Sequence, residues 1–178
     1  MENKEYVEWR KHQGPGHPEQ KHYMMALQWL DLTRAKTILD YGCGEGYYVH
    51  CFNTYDTECW GFDPNEELLK NAFGLAHDRV SNKLPTSIFD LVICIDVLEH
   101  VTDEEADRII ETLISLTNKY ILLSICDASL WEVYKDPTHI NCKTREYWEY
   151  QFLKRGLKKI EIPQDWWFRS QIYLFQKD

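Results

Sequence analysis

The stretch Thr37–Val49, TILDYGCGEGYYV, limits this chain more than any other. A short apolar run, Ile38 and Leu39, ends in Asp40. Three alternating glycines follow, Gly42, Gly44 and Gly46, and then Tyr47, Tyr48 and Val49 open an apolar helix. This is a buried strand, a tight loop and a helix start. Glycine permits positive φ and lets a ligand approach the backbone closely. The helix start adds unpaired N–H groups and the positive end of a dipole. In open α/β sheets such a loop, at the carboxyl end of a strand, is where nucleoside-type ligands bind.

Two cofactor chemistries compete for the loop. Dinucleotide sites use G-x-G-x-x-G with an acid roughly 20 positions on. Here the third glycine comes one residue early, and Asp40 precedes the first glycine by two. A carboxylate there suits a pyrophosphate poorly. It suits a ligand with a cationic amino-acid end, such as S-adenosylmethionine (SAM). The next segment repeats the pattern: Cys59-Trp60-Gly61-Phe62 runs into Asp63, and Pro64-Asn65-Glu66-Glu67 opens another helix. Two carboxylate oxygens at the second strand's end can hold both hydroxyls of a ribose. The plainer alternative is that Asp63 caps the helix.

With these residues in view, the chain resembles the class I SAM-dependent methyltransferases from about Thr37 to Ile125, more weakly to Ile162. ILDYGCGEG is similar to the family's SAM loop and GFDPN to its ribose-acid strand. FDLVICIDVLEHV (Phe89–Val101) is similar to its fourth strand and following turn, and YILLSI (Tyr120–Ile125) to its fifth strand. The resemblance implies a Rossmann-like α/β fold: a doubly wound sheet, mostly parallel, with an antiparallel C-terminal hairpin strand. It implies SAM as cofactor, with Asp40, Gly42, Cys43, Gly44, Asp63, Pro64, Ile95 and Asp96 around it, and Asp96 bordering the methyl-transfer site. Glu99 and His100 take helix-start and packing roles, with acceptor contact by His100 as the alternative. The third strand departs from the family. Val80-Ser81-Asn82-Lys83 stands where many members have an acid for the adenine amino group, so Ser81 or Asn82 is expected there instead. DPTHIN (Asp136–Asn141) resembles a loop of small-molecule methyltransferases and brings His139 to the acceptor side, where a near-neutral imidazole can take a proton. The alternative is that His139 only pins the loop.

Composition narrows the class. At 178 residues and 44% apolar content the chain suits a single domain over residues 1–178, with residues 1–35 helping to cover the pocket. No apolar run approaches the roughly 20 residues of a membrane span, and the charged start MENKEYVEWRKH lacks a signal-peptide core. Six cysteines without paired spacing read as reduced thiols, so a cytoplasmic location is expected. A net charge of −9 argues against general nucleic-acid binding. KRGLKK (Lys154–Lys159) is the one basic patch, most simply a solvated helix end. His12, His17 and His22 recur every five residues, which fits no usual zinc spacing, and no metal site is expected.

The periodicities predict a helix over 19–32 with Tyr23, Leu27 and Leu30 on one face, strands at 37–40, 58–63, 78–81, 89–95 and 120–125, and helices at 47–53 and 65–75. Thr102 and Glu105 form a capping box for a helix to about Thr117. A loop over 126–143, a helix over 144–155 and strands at 157–162 and 171–175 complete the chain. Trp166-Trp167-Phe168 reads as core packing or a hairpin cover, with a pocket wall or dimer contact as the alternative. The expected function is transfer of a methyl group from SAM to an oxygen or nitrogen of a small-molecule acceptor, with His139 and Asp96 as the catalytic candidates. An NAD-type oxidoreductase and a non-catalytic SAM-binding protein are the competing readings, and the oligomeric state is open.

Overall fold

The computed structural model describes residues 18–129, 136–166 and 170–178. Its elements, in chain order, are α1 (Gln20–Thr33), β1 (Thr37–Tyr41), α2 (Tyr47–Asn53), β2 (Glu58–Phe62), α3 (Glu66–Leu69), β3 (Val80–Ser81), β4 (Phe89–Ile95), α4 (Asp103–Leu116), β5 (Thr117–Ser124), α5 (Arg145–Leu153), β6 (Lys158–Ile160) and β7 (Ile172–Gln176). Short 3₁₀ turns lie at Gly74–Ala76 and Leu98–His100.

The strands form one seven-stranded sheet in the order β3-β2-β1-β4-β5-β7-β6. β1 to β5 pair in parallel, and β7 runs antiparallel to both β5 and β6. This is the expected mostly parallel sheet with an antiparallel C-terminal hairpin. The central strands are buried on both faces, as parallel strands between helices must be, and successive residues serve opposite cores. Ile38, Leu91, Ile93 and Leu122 join Trp29 of α1 and Phe52 of α2. Leu39, Val92, Ile121 and Leu123 join Ile110 and Leu113 of α4 and Trp148 and Phe152 of α5. Strand order reverses between β1 and β4, and that switch point opens a crevice at the carboxyl edge.

Three local departures have physical causes. On α1 the buried face is Met25, Ala26, Trp29 and Thr33, while Leu27 is exposed. Leu27 stands two positions from both Met25 and Trp29, which on a helix is nearly the opposite side. The helix expected over 65–75 stops at Leu69 because the chain turns back: Phe73 N–H donates to the Glu45 carbonyl at 3.0 Å, and Gly74 takes φ +53°. The third strand shrinks to Val80–Ser81, paired with Gly61 and Phe62.

Elsewhere local chemistry agrees with the sequence. Thr102 and Glu105 form the capping box of α4. Asp90, second in β4, has its carboxylate accepting from the N–H groups of Lys36 at 3.0 Å and Thr37 at 3.1 Å. The basic patch differs from a solvated helix end: Arg155, mostly covered, bonds Glu111 and Asp107 of α4, and Lys159 of β6 pairs with Glu149 of α5. Trp166 packs in the core beside Ile162, while Trp167 and Phe168 lie outside the described residues. All six cysteines are free thiols, and among the described residues no helix is long and apolar enough to cross a membrane.

Candidate active site

The loop after β1 is held by its own backbone and by the end of β2. Gly42 and Cys43 N–H groups donate to the Phe62 carbonyl at 2.7 and 3.0 Å, and Gly46 N–H closes a turn onto the Cys43 carbonyl at 2.8 Å. Gly42 takes φ +81°, and a Cβ there would lie 2.5 Å from a Val97 methyl, so no side chain fits. Gly61 matters for a different reason: a Cβ would stand 2.6 Å from the Cys43 sulfur. The loop and the start of α2 are thereby pressed onto β2.

A cavity of about 590 Å³ opens beside this loop, within the usual size of small-ligand sites. One end is walled by Asp40, Gly42, Cys43, Gly44 and Glu45, with Tyr47 and Tyr48 of α2. Lys21, His22 and Met25 of α1 cover it. The other end is walled by Ile95, Asp96, Glu99, His100, Ser124, Asp136 and His139. Of the residues expected from sequence, Asp40, Gly42, Cys43, Gly44, Ile95, Asp96 and His139 therefore meet at one space. Asp63, Pro64 and Asn82 stand outside its wall. Pro64 and Asn82 are exposed, and the Asn82 amide donates to Glu66. Asp63 lies directly behind the loop, accepting from Gly44 N–H at 2.9 Å and Asn65 N–H at 2.8 Å. It is not the cap of α3; Asn65 is, accepting from Glu67 N–H at 3.0 Å.

The electrostatics differ between the two ends. Asp40 is 2% exposed, and burial, helped by the nearby Asp63 charge, pushes its carboxyl up to about 8. Asp63 is also raised by burial, but the Asn65 and Gly44 N–H groups work against the rise. At the far end Asp96 has φ +54°, an uncommon conformation for a side-chain-bearing residue. It is held there by Ser124, whose hydroxyl donates to its carboxylate at 2.7 Å and whose carbonyl accepts its N–H at 2.9 Å. Asp96 is solvent-exposed at the cavity wall, yet desolvation by the surrounding protein raises its pKa against the opposing Ser124 hydrogen bond and the charges of His139 and Lys21.

Glu99 joins the segments of this far end. Its carbonyl accepts from Ile140 and Asn141 N–H at 2.9 and 3.0 Å, and its carboxylate accepts from Cys126 N–H at 2.8 Å. One fully buried residue thus ties the end of β5 and the loop at 136–141 to the turn after β4. Burial first, and the Asp96 charge second, push its carboxyl up to about 8. His100 packs edge-on against His139 with ring centroids 4.7 Å apart, and burial pushes its imidazole down to about 4. The His139 side chain is 9% exposed, with Nε2 3.9 Å from Asp136. Burial works against the Asp136 carboxylate, but hydrogen bonds from Thr138 outweigh it, and its pKa lies below the ordinary value. Glu99, His100 and His139 also lie close enough together to hold a metal ion.

Residues 19–162 match a family described as a methyltransferase domain, which is most of the chain. The chain belongs to the class I SAM-dependent methyltransferases. Among curated proteins it is 28% identical over 151 residues to ajmaline N-methyltransferase of Rauvolfia serpentina, a match covering 76% of this chain and 47% of that protein. The chain thus spans about half the length of that relative. Among solved structures, a SAM-dependent methyltransferase from Archaeoglobus fulgidus superposes with TM-score 0.71 at 18% identity, covering 97% of this chain and 100% of the other. Magnesium protoporphyrin IX methyltransferase from Synechocystis PCC 6803, with bound S-adenosylhomocysteine (SAH), gives TM-score 0.68 at 18% identity, covering 98% and 94%. At these identities the likeness is one of fold.

The cofactor of this methyltransferase family is SAM, and the residues present suit it. A buried carboxylate such as Asp40 calls for a cation, and the ammonium of SAM is one. The glycine loop leaves backbone at the cavity wall where a nucleoside can approach. Sequence reasoning expected residues 1–35 to help cover the pocket without naming Lys21 or His22 for it, and it missed Glu45, Tyr47, Tyr48 and Glu99 at the cavity wall.

Proposed function

We propose that this methyltransferase domain transfers the SAM methyl group to an oxygen or nitrogen of a small-molecule acceptor. The observation that carries the reading is that one continuous cavity is lined both by the glycine loop and Asp40 and by Asp96 and His139. Asp40 would hold the ammonium of the methionine part, the Gly42–Gly44 backbone would line it, and Asp63 would serve the ribose from behind the loop. Asn82 and Pro64 would border the adenine side. Bound SAM supplies an electrophilic methyl on a sulfonium, so the protein need provide no nucleophile of its own. Its work is alignment of the acceptor and exclusion of water. The proton of the acceptor leaves toward Asp96 or His139, the two titratable groups that the sequence places at this end.

The small-molecule class is supported by the ajmaline N-methyltransferase relative and by a cavity with room for a cofactor and a modest acceptor. A dinucleotide reading is disfavoured because the buried Asp40 carboxylate forms the floor of the loop, where a pyrophosphate would meet it. Calorimetry against SAM, SAH and NAD tests the first half: SAM and SAH bind and NAD does not. Tight NAD binding without a SAM signal overturns it. Radiolabelled methyl transfer across hydroxyl and amine acceptors tests the second half.

A further inference from the structure

The acceptor end of the cavity holds more than a proton acceptor requires. Glu99, His100 and His139 each offer a ligand atom, and these atoms lie within 4.8 Å of one another. All three residues line the cavity. Three ligands at about 2.0–2.2 Å in tetrahedral geometry stand about 3.3–3.6 Å apart. Side-chain rotation that draws the atoms together by about 1 Å would therefore close the set on an ion.

Two independent observations point to a ligand here. Glu99 is fully buried, and Cys126 N–H satisfies only its Oε1, while Oε2 is buried with no hydrogen-bond partner. A fully enclosed carboxylate oxygen without a donor calls for one, or for a cation. The second is the orientation of His100. Its Nδ1 lies 3.3 Å from the Thr138 carbonyl and 2.9 Å from the Thr138 hydroxyl. The carbonyl can only accept, and the hydroxyl gives its own proton to Asp136 at 2.6 Å. Nδ1 therefore carries the hydrogen, and Nε2 is the lone-pair nitrogen. An imidazole whose second nitrogen donates to fixed oxygens is the arrangement that orients metal-bound histidines.

We propose that Glu99, His100 and His139 form a site for a divalent transition-metal ion at the acceptor end, and that the acceptor is an oxygen compound able to bind that ion. The site itself stands on the three side chains; the acceptor class rests on the methyl-transfer reading of the cavity. Two imidazoles and one carboxylate suit zinc, iron(II), cobalt(II) or manganese(II) rather than calcium. Three protein ligands leave a coordination position open toward the cavity. An acceptor hydroxyl bound there is oriented and more readily ionised, whereas an ammonium has no lone pair to offer. His139 then contributes as a ligand. The ligands come from residues 39 or more apart in sequence, 99 and 100 against 139, which is why no motif announces them.

Cobalt(II) chloride is the probe, because its visible spectrum separates nitrogen and oxygen ligands from thiolates in a chain with six free cysteines. The chelator-stripped full chain is expected to bind one cobalt ion without a thiolate charge-transfer band. Glu99→Gln, which keeps an acceptor for Cys126 N–H, and His100→Ala should each weaken binding about 10-fold or more. The double variant His100→Ala/His139→Ala should abolish it. SAH titrated into the same samples reports that the cavity is still formed. Acetohydroxamate, an oxygen chelator, should shift the spectrum of the cobalt form by occupying the open position. Failure of the wild type to bind cobalt, a thiolate band, or undiminished binding by the double variant overturns the site. An unshifted spectrum with acetohydroxamate overturns the acceptor class. Intact cobalt binding without SAH binding overturns the methyl-transfer reading and leaves the cation site standing.

Discussion

The two ends of the cavity are built by different means. The glycine-loop end, the proposed cofactor end, is local: within 25 residues the Gly42, Cys43 and Gly44 N–H groups all find acceptors at the end of β2, on Phe62 and Asp63. The far end, the proposed acceptor end, is assembled from three separate segments, the turn at 98–100, the end of β5 and the loop at 136–141, joined through Glu99. A backbone-built end is positioned by the sheet itself and tolerates few changes at glycine. A side-chain-built end can change its chemistry one residue at a time without disturbing the strands. That difference suits a domain with one fixed cofactor and an acceptor that varies between relatives.

The sharpest way to separate the ends is His139→Ala. A positioned imidazole that moves a proton contributes about 10²–10⁴ in rate, and loss of a metal ligand would fall in the same range. Turnover should drop by that factor while SAH affinity stays nearly unchanged. Parallel single-turnover assays and calorimetry measure both, and an equal loss in each would erase the distinction between the ends.

Next in size is the pH response of the cofactor end. The folded Asp40 carboxyl, at about 8, lies above its ordinary value of 3.8. Between those values the folded state keeps a proton that the unfolded chain releases. Stability of the ligand-free protein therefore falls as pH rises through this window and levels off above about 8, by up to a few kcal/mol. Asp40→Asn should flatten that slope in thermal midpoints taken from pH 5 to 8. Cofactor binding, by pairing the carboxylate with an ammonium, should release protons near pH 7, visible as a buffer-dependent calorimetric heat. A slope as steep in the Asn variant would show that Asp40 does not titrate as described.

Asp63→Ala should weaken SAH binding by about 1–3 kcal/mol, through lost charge-assisted hydrogen bonds to ribose and a loosened Gly44. Asn65, not Asp63, caps α3, so the thermal midpoint should move little. A large fall in midpoint with unchanged affinity in the folded fraction would assign Asp63 to the scaffold. Smallest of all, Asn82→Ala should cost about 0.5–1.5 kcal/mol of SAH affinity and leave stability within about 0.5 kcal/mol, since its side chain is exposed. Unchanged affinity would move adenine recognition to another residue.

These contrasts follow what was legible in the residues. The continuous apolar runs at Ile38–Leu39 and Leu91–Val92–Ile93 marked strands buried on both faces, and the Asp40 and Asp63 strand ends marked the edge where the cavity opens. Thr102 with Glu105 marked the start of α4 from side-chain chemistry alone. The reading of α1 failed at Leu27 because several apolar residues compete for one face, and only packing against α2 and the sheet selects Trp29. The helix after Asn65 ended early because Phe73 bonds back to Glu45, a contact 28 positions away that no local propensity encodes.

What the sequence by itself determined was the parallel sheet, its antiparallel closing strand and the loop chemistry around Asp40, since period, glycine spacing and strand-end acids are local properties. Tertiary structure alone decided which side chains share the far end of the cavity. Glu99 read as a helix-start residue until the fold buried its carboxylate, placed Cys126 on one oxygen and brought His100 and His139 within ligand distance of it. Residues 99 and 139 are neighbours only because β4 and β5 pair in parallel and deliver both of their following segments to the same edge of the sheet.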